Sequence, residues 1–281
     1  MSGFEKQTLW RDGVRLRLHL QQGEGPIVFF QHGLCGDANQ PAVVFPADCG
    51  GRLAVLDCRG HGESDAGPLE ALSLATFADD LSAAIRQSSA DPCILGGISM
   101  GAALSLRIAC REPGLVSGLV LVRPAWIAES APENMVPNLV VGQLLSAPST
   151  PGEREAFINC ETGRRLAAEA PDNLASLLGF FGREPRAVTA ALLTRIALDG
   201  PGIGEGELSA LAVPTLVIGH DDDVIHPWHH AQRLAAVIPG ARLAKIPSKA
   251  RSKPAYEEAL RSELRRFIEE TSDATSRNRL V

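Results

Sequence analysis

The stretch Cys93-Ile94-Leu95-Gly96-Gly97-Ile98-Ser99-Met100-Gly101 decides the fold. It begins as an apolar strand and leads into a helical pattern over residues 100–110, with Ser99 at the junction and a glycine two positions to either side. Glycine has no Cβ, so these glycines let the strand and helix backbones approach closely around a tight turn. The pattern predicts a nucleophilic Ser99 at the edge of a sheet. It also predicts that the Met100 N–H lies at a helix N-terminus, where it can stabilise negative charge.

A second apolar strand, residues 27–30, leads into Gln31-His32-Gly33-Leu34. A glycine at this point lets the backbone turn, so that the Leu34 N–H can act as a second donor to an oxyanion beside Met100. A plain strand-to-loop turn is the alternative interpretation. Because Ser99 is also present, we interpret Leu34 and Met100 as an oxyanion hole.

A candidate acid follows the apolar strand at residues 215–218, in Gly219-His220-Asp221-Asp222-Asp223-Val224-Ile225-His226-Pro227. A carboxylate at the carboxyl end of that strand can orient and stabilise an imidazolium near Ser99. Counting forward from Gly219 selects Asp222, and counting back from Pro227 selects Asp223. We favour Asp223, because proline is a natural first residue of the helix that follows.

The run Asp57-Cys58-Arg59-Gly60-His61-Gly62-Glu63-Ser64-Asp65 follows a further strand, residues 53–56. Such a run can hold a loop in shape through side-chain hydrogen bonds without taking part in chemistry. We therefore interpret His61 as structural rather than catalytic.

The rest of the chain alternates between strand-like and helical patterns. Further strands are predicted at residues 119–122 and 242–246, and helices at 74–85, 228–237 and 255–269, after an N-terminal hairpin that turns at Asp12-Gly13. Strands that are apolar on both faces are typical of a parallel sheet covered by helices. The sequence thus predicts an α/β fold. Its mostly parallel central sheet has about eight strands flanked by helices, and it carries a helical cap insertion.

The insertion is the stretch from residue 127 to 207, which breaks the alternation. It contains seven prolines and the apolar clusters Leu139-Val140-Val141 and Leu177-Leu178-Gly179-Phe180-Phe181. Structureless loops of that length are rare in compact domains, which favours a helical cap. The predicted organisation is a core of residues 1–126 and 208–270, a cap of residues 127–207, and a disordered tail of residues 271–281.

Composition excludes several classes of function. The 281-residue chain carries a net charge of −6, which argues against nucleic acid or an acidic membrane surface as a partner. It has no signal-peptide pattern and no apolar run long enough to span a bilayer. Its six cysteines form no CxxC pair, which favours reduced thiols over disulfides or a zinc site. We expect a cytoplasmic protein whose partner is a small-molecule substrate; the sequence does not indicate an oligomeric state.

Together these motifs resemble the α/β-hydrolase superfamily, most closely its single-domain esterase, lactonase and C–C hydrolase group. The resemblance rests on His32-Gly33, Gly60-His61-Gly62, the GxSxG motif at Ser99 and the Asp-to-Pro segment before residue 228, and it covers nearly the whole chain. It implies a Ser-Asp-His triad, an oxyanion hole from the Leu34 and Met100 N–H groups, and a helical cap over the site. It implies no metal and no organic cofactor.

The sequence departs from this family in one respect. The family places its histidine after the last strand, but here that strand is followed by Pro247-Ser248-Lys249-Ala250-Arg251-Ser252-Lys253-Pro254. The seven histidines lie at positions 19, 32, 61, 220, 226, 229 and 230. His226 is nearest the candidate acid, although three residues of separation is short and Pro227 restricts its backbone. Lys249 could act as the base if desolvation lowers its pKa, and a third alternative is that no base is present.

The sequence therefore predicts an enzyme that hydrolyses an ester, lactone or related acyl bond of a small, mainly apolar substrate. Its candidate catalytic residues are Ser99, Asp223 and His226. The alternative is a repurposed or catalytically degraded member that acts as a lyase, a cyclase or a small-molecule binder, because removal of a triad base lowers turnover on the order of 10⁶-fold.

Overall fold

The core of the molecule is an eight-stranded sheet. The computed structural model describes residues 3–89 and 91–278, with side chains described as far as residue 274. The strands are β1 (Phe4–Arg11), β2 (Val14–Gln21), β3 (Ile27–Gln31), β4 (Arg52–Asp57), β5 (Cys93–Ile98), β6 (Val116–Val122), β7 (Thr215–Gly219) and β8 (Arg242–Lys245). Their order across the sheet is β1-β2-β4-β3-β5-β6-β7-β8.

The sheet is parallel except at one edge. β1 and β2 form an antiparallel hairpin through the turn at Asp12-Gly13, and β2 pairs antiparallel with β4. All pairs from β4 through β3, β5, β6 and β7 to β8 are parallel. The predicted α/β class and the mostly parallel sheet of about eight strands are confirmed. The carboxyl ends of β3, β5, β6 and β7 lie side by side, so the loops that follow them meet at one edge of the sheet.

Helices cover both faces of the sheet because the parallel strands are apolar on both sides. On one face Phe29 and Leu95 pack against α2 (Leu74–Ser88), α3 (Met100–Arg111) and α10 (Trp228–Val237). On the other face Val28 and Phe30 pack against α1 (Asn39–Val44) and α11 (Lys253–Asn278). Successive strand residues point to opposite faces, so each of these strands contributes to both hydrophobic cores.

The stretch between β6 and β7 is helical. It contains α4 (Val136–Ser146), α5 (Glu153–Asn159), α6 (Glu161–Glu169), α7 (Pro171–Gly179), α8 (Arg186–Ala197) and α9 (Glu205–Ser209). Short 3₁₀ helices span Leu69–Ala71, Pro113–Leu115, Glu133–Met135 and Phe180–Gly182. Val141 and Leu177, from the two apolar clusters of this stretch, are fully buried. These two side chains therefore pack in the core, and the other apolar members of the clusters are partly buried against it.

The C-terminal helix extends beyond its predicted end. α11 continues to Asn278, so the part of the predicted disordered tail from residue 271 to 278 is helical. Thr271 is buried and a Cβ added at Gly118 of β6 would touch it, which shows that this turn of the helix packs on the sheet. Residues 279–281 of the predicted tail lie outside the described residues.

All six cysteines are free thiols, as predicted, and Cys49, Cys58 and Cys93 are buried. Among the described helices, none is both long and apolar enough to cross a membrane.

Candidate active site

Ser99 lies at the turn between β5 and α3 in a strained backbone conformation. Its φ of 57° and ψ of −109° are rare for a residue with a side chain. The conformation is held from both sides. The Ser99 N–H donates to the carbonyl oxygen of Val122 at 2.9 Å, and the Ser99 carbonyl accepts from Ala102 at 3.0 Å. Such strain is characteristic of functional sites, since the surrounding structure has to maintain it.

The two glycines that flank this turn are required by a close backbone approach. A Cβ added to Gly97 would lie 2.7 Å from the Cα of Gly101 and 2.8 Å from the carbonyl oxygen of Gln31. A Cβ added to Gly101 would lie 2.5 Å from the same Gln31 oxygen. All three distances are shorter than the contacts that real Cβ atoms make, so neither position admits a side chain without displacing β3 or α3.

The loop after β3 passes beside Ser99. A Cβ added to Gly33 would lie 3.5 Å from the Cβ of Ser99, and the Gly33 N–H donates to Gln40 Oε1 at 2.6 Å. The Gly36 N–H donates to the Gly33 carbonyl at 3.0 Å, so Leu34 occupies a tight turn next to the serine. Met100 is the first residue of α3, where a backbone N–H has no partner within the helix. The structure thus brings the predicted oxyanion residues to the two sides of Ser99.

Two buried histidines hold this loop in place. The Cys35 N–H donates to His61 Nε2 at 3.0 Å, and the Cys58 N–H donates to His32 Nε2 at 3.1 Å. Each ring therefore carries its proton on Nδ1, which lies 2.9 Å from the carbonyl oxygen of Arg59 or Gly33, respectively. Burial lowers the pKa of both imidazoles, and that of His61 well below its ordinary value. His61 links two loops through the backbone and makes no contact with Ser99 among the described residues.

The loop after β7 brings a histidine and a carboxylate to Ser99. His226 Nε2 lies 2.8 Å from Ser99 Oγ, and His226 Nδ1 lies 3.0 Å from both carboxylate oxygens of Asp223. Ser99 and Asp223 are each only 9% exposed. A hydroxyl, an imidazole and a carboxylate in this sequence of contacts can transfer a proton from the hydroxyl to the ring and stabilise the charge that forms.

The short separation between Asp223 and His226 is accommodated by a tight turn. Asp223 Oδ1 accepts from the His226 backbone N–H at 2.9 Å, which folds the histidine back beside the carboxylate. Asn173 of α7 secures the two residues between them, because its Oδ1 accepts from the N–H groups of Val224 at 2.9 Å and Ile225 at 3.2 Å. Pro227 is the N-cap residue of α10, which begins at Trp228, whereas the sequence predicts Pro227 as the first residue of the helix itself.

The other candidate acid and base make no hydrogen bond with Ser99 or His226 among the described residues. Asp222 forms an ion pair at 2.7 Å with Arg251, which belongs to the loop after β8. Lys249 is half-buried, and burial together with the Arg123 charge lowers its pKa. In the described part of the chain Ser99 Oγ pairs with His226 and not with Lys249.

The sequence reasoning missed Arg123, which lies within this site. Its Nε and Nη2 donate to Asp223 Oδ2 at 2.9 Å and 2.5 Å, and Nη2 also lies 3.1 Å from His226 Nδ1. The sequence could have indicated Arg123 by its position, because it is a charged residue directly after the apolar strand Leu119-Val120-Leu121-Val122. The carboxyl end of that strand lies between those of β5 and β7.

The charges of the site act on one another. Burial by itself would raise the pKa of Asp223, but Arg123 and His226 hold it well below its usual range. Burial lowers the pKa of His226; Asp223 opposes that effect, Arg123 adds to it, and the net pKa is below the ordinary histidine value. Near pH 7, Asp223 is therefore ionised and His226 is neutral, which is the state required to accept a proton.

A cavity of about 560 Å³ lies beside this loop. Val224 and Pro227 line it on one side, and Asn134 and Leu166 of the helical insertion line it on the other. Its volume lies in the range of small-molecule sites. Ser99 is not part of its lining, so it adjoins the histidine loop rather than the serine.

Comparison with known proteins agrees with the fold. A family model described as the α/β hydrolase fold matches residues 26–154. The chain is 31% identical over 207 residues to the protein named "Putative carbamate hydrolase RutD" from Klebsiella pneumoniae (strain 342), with 70% of this chain and 73% of that protein covered. It is 30% identical over 249 residues to the sn-1-specific diacylglycerol lipase ABHD11 of Mus musculus, with 79% and 74% covered.

A solved structure shows the same architecture. The enol-lactonase from Burkholderia xenovorans LB400 matches with a TM-score of 0.70 at 20% identity, covering 92% of this chain and 99% of that one. Fold and site together define an α/β protein with a serine at a strand-to-helix turn. The chain belongs to the α/β-hydrolase fold family, and its relatives are hydrolases.

Proposed function

We propose that this protein is a serine hydrolase that cleaves an ester, lactone or related acyl bond of a small, mainly apolar substrate. One observation carries the proposal: Ser99 Oγ lies 2.8 Å from His226 Nε2, whose other ring nitrogen lies 3.0 Å from Asp223. A serine hydroxyl is a weak nucleophile until a base takes its proton, and here a neutral imidazole lies within hydrogen-bonding distance of it.

The proposed reaction has two stages. In the first, Ser99 Oγ attacks the acyl carbon while His226 Nε2 takes the hydroxyl proton, and the Leu34 and Met100 N–H groups stabilise the oxyanion. The tetrahedral intermediate collapses to an acyl-serine, and the leaving oxygen takes the proton from His226. In the second, His226 accepts a proton from water while the water oxygen attacks the acyl-serine. The acyl–Oγ bond then breaks, His226 returns the proton to Ser99 Oγ, and the acid is released. These steps use only side chains, backbone N–H groups and water.

The helical insertion serves as a cap in this proposal. Two contacts support that role, since they connect the insertion to the loops on both sides of Ser99. Asn173 binds the loop that carries His226, and Arg183 Nη2 donates to the Gly60 carbonyl at 2.6 Å. A cavity of about 560 Å³ adjoins the loop that carries His226 but is not lined by Ser99, and its volume supports a small substrate. The apolar character of the substrate is proposed from the apolar clusters of the insertion, in which Leu178 and Phe180 are partly buried.

The alternative of a degraded or repurposed member was motivated by the absence of a base after β8. With His226 beside Ser99, that motive no longer applies, and the relatives named above are hydrolases. The serine hydrolase is therefore the function that we carry forward.

The test is a Ser99→Ala variant assayed with short p-nitrophenyl esters and with a fluorophosphonate probe. Removal of the nucleophile should lower turnover on the order of 10⁶-fold and abolish labelling. Ser105→Ala is the matched control, because the Ser105 hydroxyl lies in α3 and donates to the Gly101 carbonyl at 2.8 Å rather than to His226. Ester hydrolysis by Ser99→Ala at the parent rate would refute the proposal.

A further inference from the structure

Arg123 is a buried cation in direct contact with the candidate base and acid. It is 8% exposed, and its backbone φ of 47° lies in the left-handed region. The Arg123 N–H donates to the Ile218 carbonyl of β7 at 2.7 Å, which anchors this strained residue between two strands. Its guanidinium carbon lies 6.0 Å from the centre of the Tyr256 ring of α11.

We propose that Arg123 is a positioning residue for Asp223 and His226, and that its guanidinium sets the pH range in which His226 can accept the Ser99 proton. This inference rests on the proposed function, because it assigns a second role within the same site.

The geometry gives His226 Nδ1 two competing partners. Asp223 can accept a hydrogen bond from a protonated Nδ1 at 3.0 Å, which leaves the lone pair of Nε2 free for the Ser99 hydroxyl. Arg123 Nη2 at 3.1 Å can instead donate to an unprotonated Nδ1, which places the ring proton on Nε2, where it blocks proton transfer from the serine. Asp223 must therefore be ionised and correctly oriented for the productive tautomer to prevail.

Arg123 keeps the Asp223 carboxylate ionised and correctly oriented. Two of its N–H groups hold the same carboxylate oxygen, Asp223 Oδ2, and leave Oδ1 to the backbone N–H of His226 and its Nδ1. Removal of either member of this buried ion pair leaves an uncompensated charge. The guanidinium thus fixes the carboxylate while opposing the formation of a second cation on His226.

Other charged or titratable groups surround the pair. They are His220 on the same loop, Ser99 before α3, Asp172 in α7, His229 and His230 in α10, Lys249 after β8, and Tyr256 in α11. His220 Nε2 is the nearest of the other histidine nitrogens, at 3.7 Å from Asp223 Oδ2. Arg123 differs from these groups in being hydrogen-bonded to both Asp223 and His226.

The expected pH dependence follows from the sign of the interaction. His226 accepts a proton only when it is neutral, so the rate rises with pH through the pKa of His226. Burial and the Arg123 charge lower the pKa of His226, which keeps the base available at mildly acidic pH. Loss of the cation raises that pKa, and the acidic limb of the rate profile moves to higher pH.

The experiment measures the rate of fluorophosphonate labelling of Ser99 between pH 5 and 9 in the parent, Arg123→Gln, Arg123→Lys and Arg251→Gln. We expect the ratio of the rate at pH 6 to that at pH 8 to fall about threefold or more in Arg123→Gln. Arg123→Lys keeps the charge and should keep an acidic limb near that of the parent. Arg251→Gln removes a positive charge that is 75% exposed, and it should leave the limb unchanged.

A purely structural role would lower the labelling rate of Arg123→Gln equally at every pH, and that outcome would overturn the inference. A second measurement tests the inference if Arg123→Gln does not fold or if the probe does not label the parent protein. It is a ¹⁵N-histidine NMR titration of the unmodified protein, with His226 assigned by its loss in His226→Gln. Titration of His226 at or above the ordinary histidine value contradicts the inference. A parent protein that is never labelled, with His226 titrating low, contradicts the proposed function alone.

Discussion

The loop after β4 carries the buried His61 and the loop after β7 carries the partly buried His226, but only His226 faces the Ser99 hydroxyl. In the first loop, both ring nitrogens of His61 are bound to backbone, to Cys35 N–H at 3.0 Å and the Arg59 carbonyl at 2.9 Å. In the second, the ring nitrogens of His226 face a serine hydroxyl and a carboxylate. The comparison teaches that the partners of the two nitrogens, rather than burial or an adjacent motif, separate a structural imidazole from a candidate base.

We expect the largest effect when the histidine of the second loop, His226, is replaced. His226→Gln removes the candidate base, so the rate of ester hydrolysis should fall on the order of 10⁴-fold to 10⁶-fold. The matched control is His229→Gln, three residues along the chain at an exposed position, which should change the rate by less than about twofold. Steady-state kinetics with p-nitrophenyl esters measures both. A His226→Gln variant that keeps a tenth of the parent rate would show that the two loops do not differ as proposed.

The second test separates adjacent carboxylates of the same loop. Asp223→Asn should lower turnover on the order of 10⁴-fold, since an amide cannot hold the productive tautomer of His226. Asp222→Asn weakens the pairing with Arg251, which is 75% exposed, and should leave turnover within about twofold of the parent. Turnover is to be expressed per folded molecule, because Asp223→Asn also leaves Arg123 unpaired. Equal loss in both variants would contradict the assignment of Asp223.

We expect the smallest effect when the histidine of the first loop, His61, is replaced, and we expect it in the free energy of unfolding. His61→Ala leaves the Cys35 N–H without its acceptor and should lower the free energy of unfolding by about 1–3 kcal/mol. The pKa of His61 is held well below its ordinary value by burial. Below that ordinary value the unfolded chain binds a proton that the folded protein excludes, so stability falls as pH drops. Urea unfolding at pH 5 and pH 8 should show a smaller pH-dependent loss in His61→Ala than in the parent. An equal loss would mean that His61 titrates normally in the folded protein.

Much of the fold and part of the site follow from local patterns. Strands such as Ile27–Gln31 could be predicted because a run apolar on both faces belongs inside a covered parallel sheet. The turn at Ser99 could be predicted because flanking glycines mark a close approach that side chains would prevent. The end of α11 could not, since the packing of Thr271 near Gly118 is a contact between distant parts of the chain.

By itself, the sequence determined the α/β sheet, the strained serine and the preferred carboxylate, because each depends on residues that are neighbours along the chain. Only the tertiary structure decided which basic group meets Ser99. Ser99 and His226 are 127 positions apart in the sequence. They are brought together by the adjacency of β5, β6 and β7, by the turn at Asp223 and by Asn173 from the insertion. It also decided that Arg123 lies between the acid and the base. A hydrogen bond depends on distances of a few tenths of an ångström between side chains from separate elements, and no spacing along the chain encodes them.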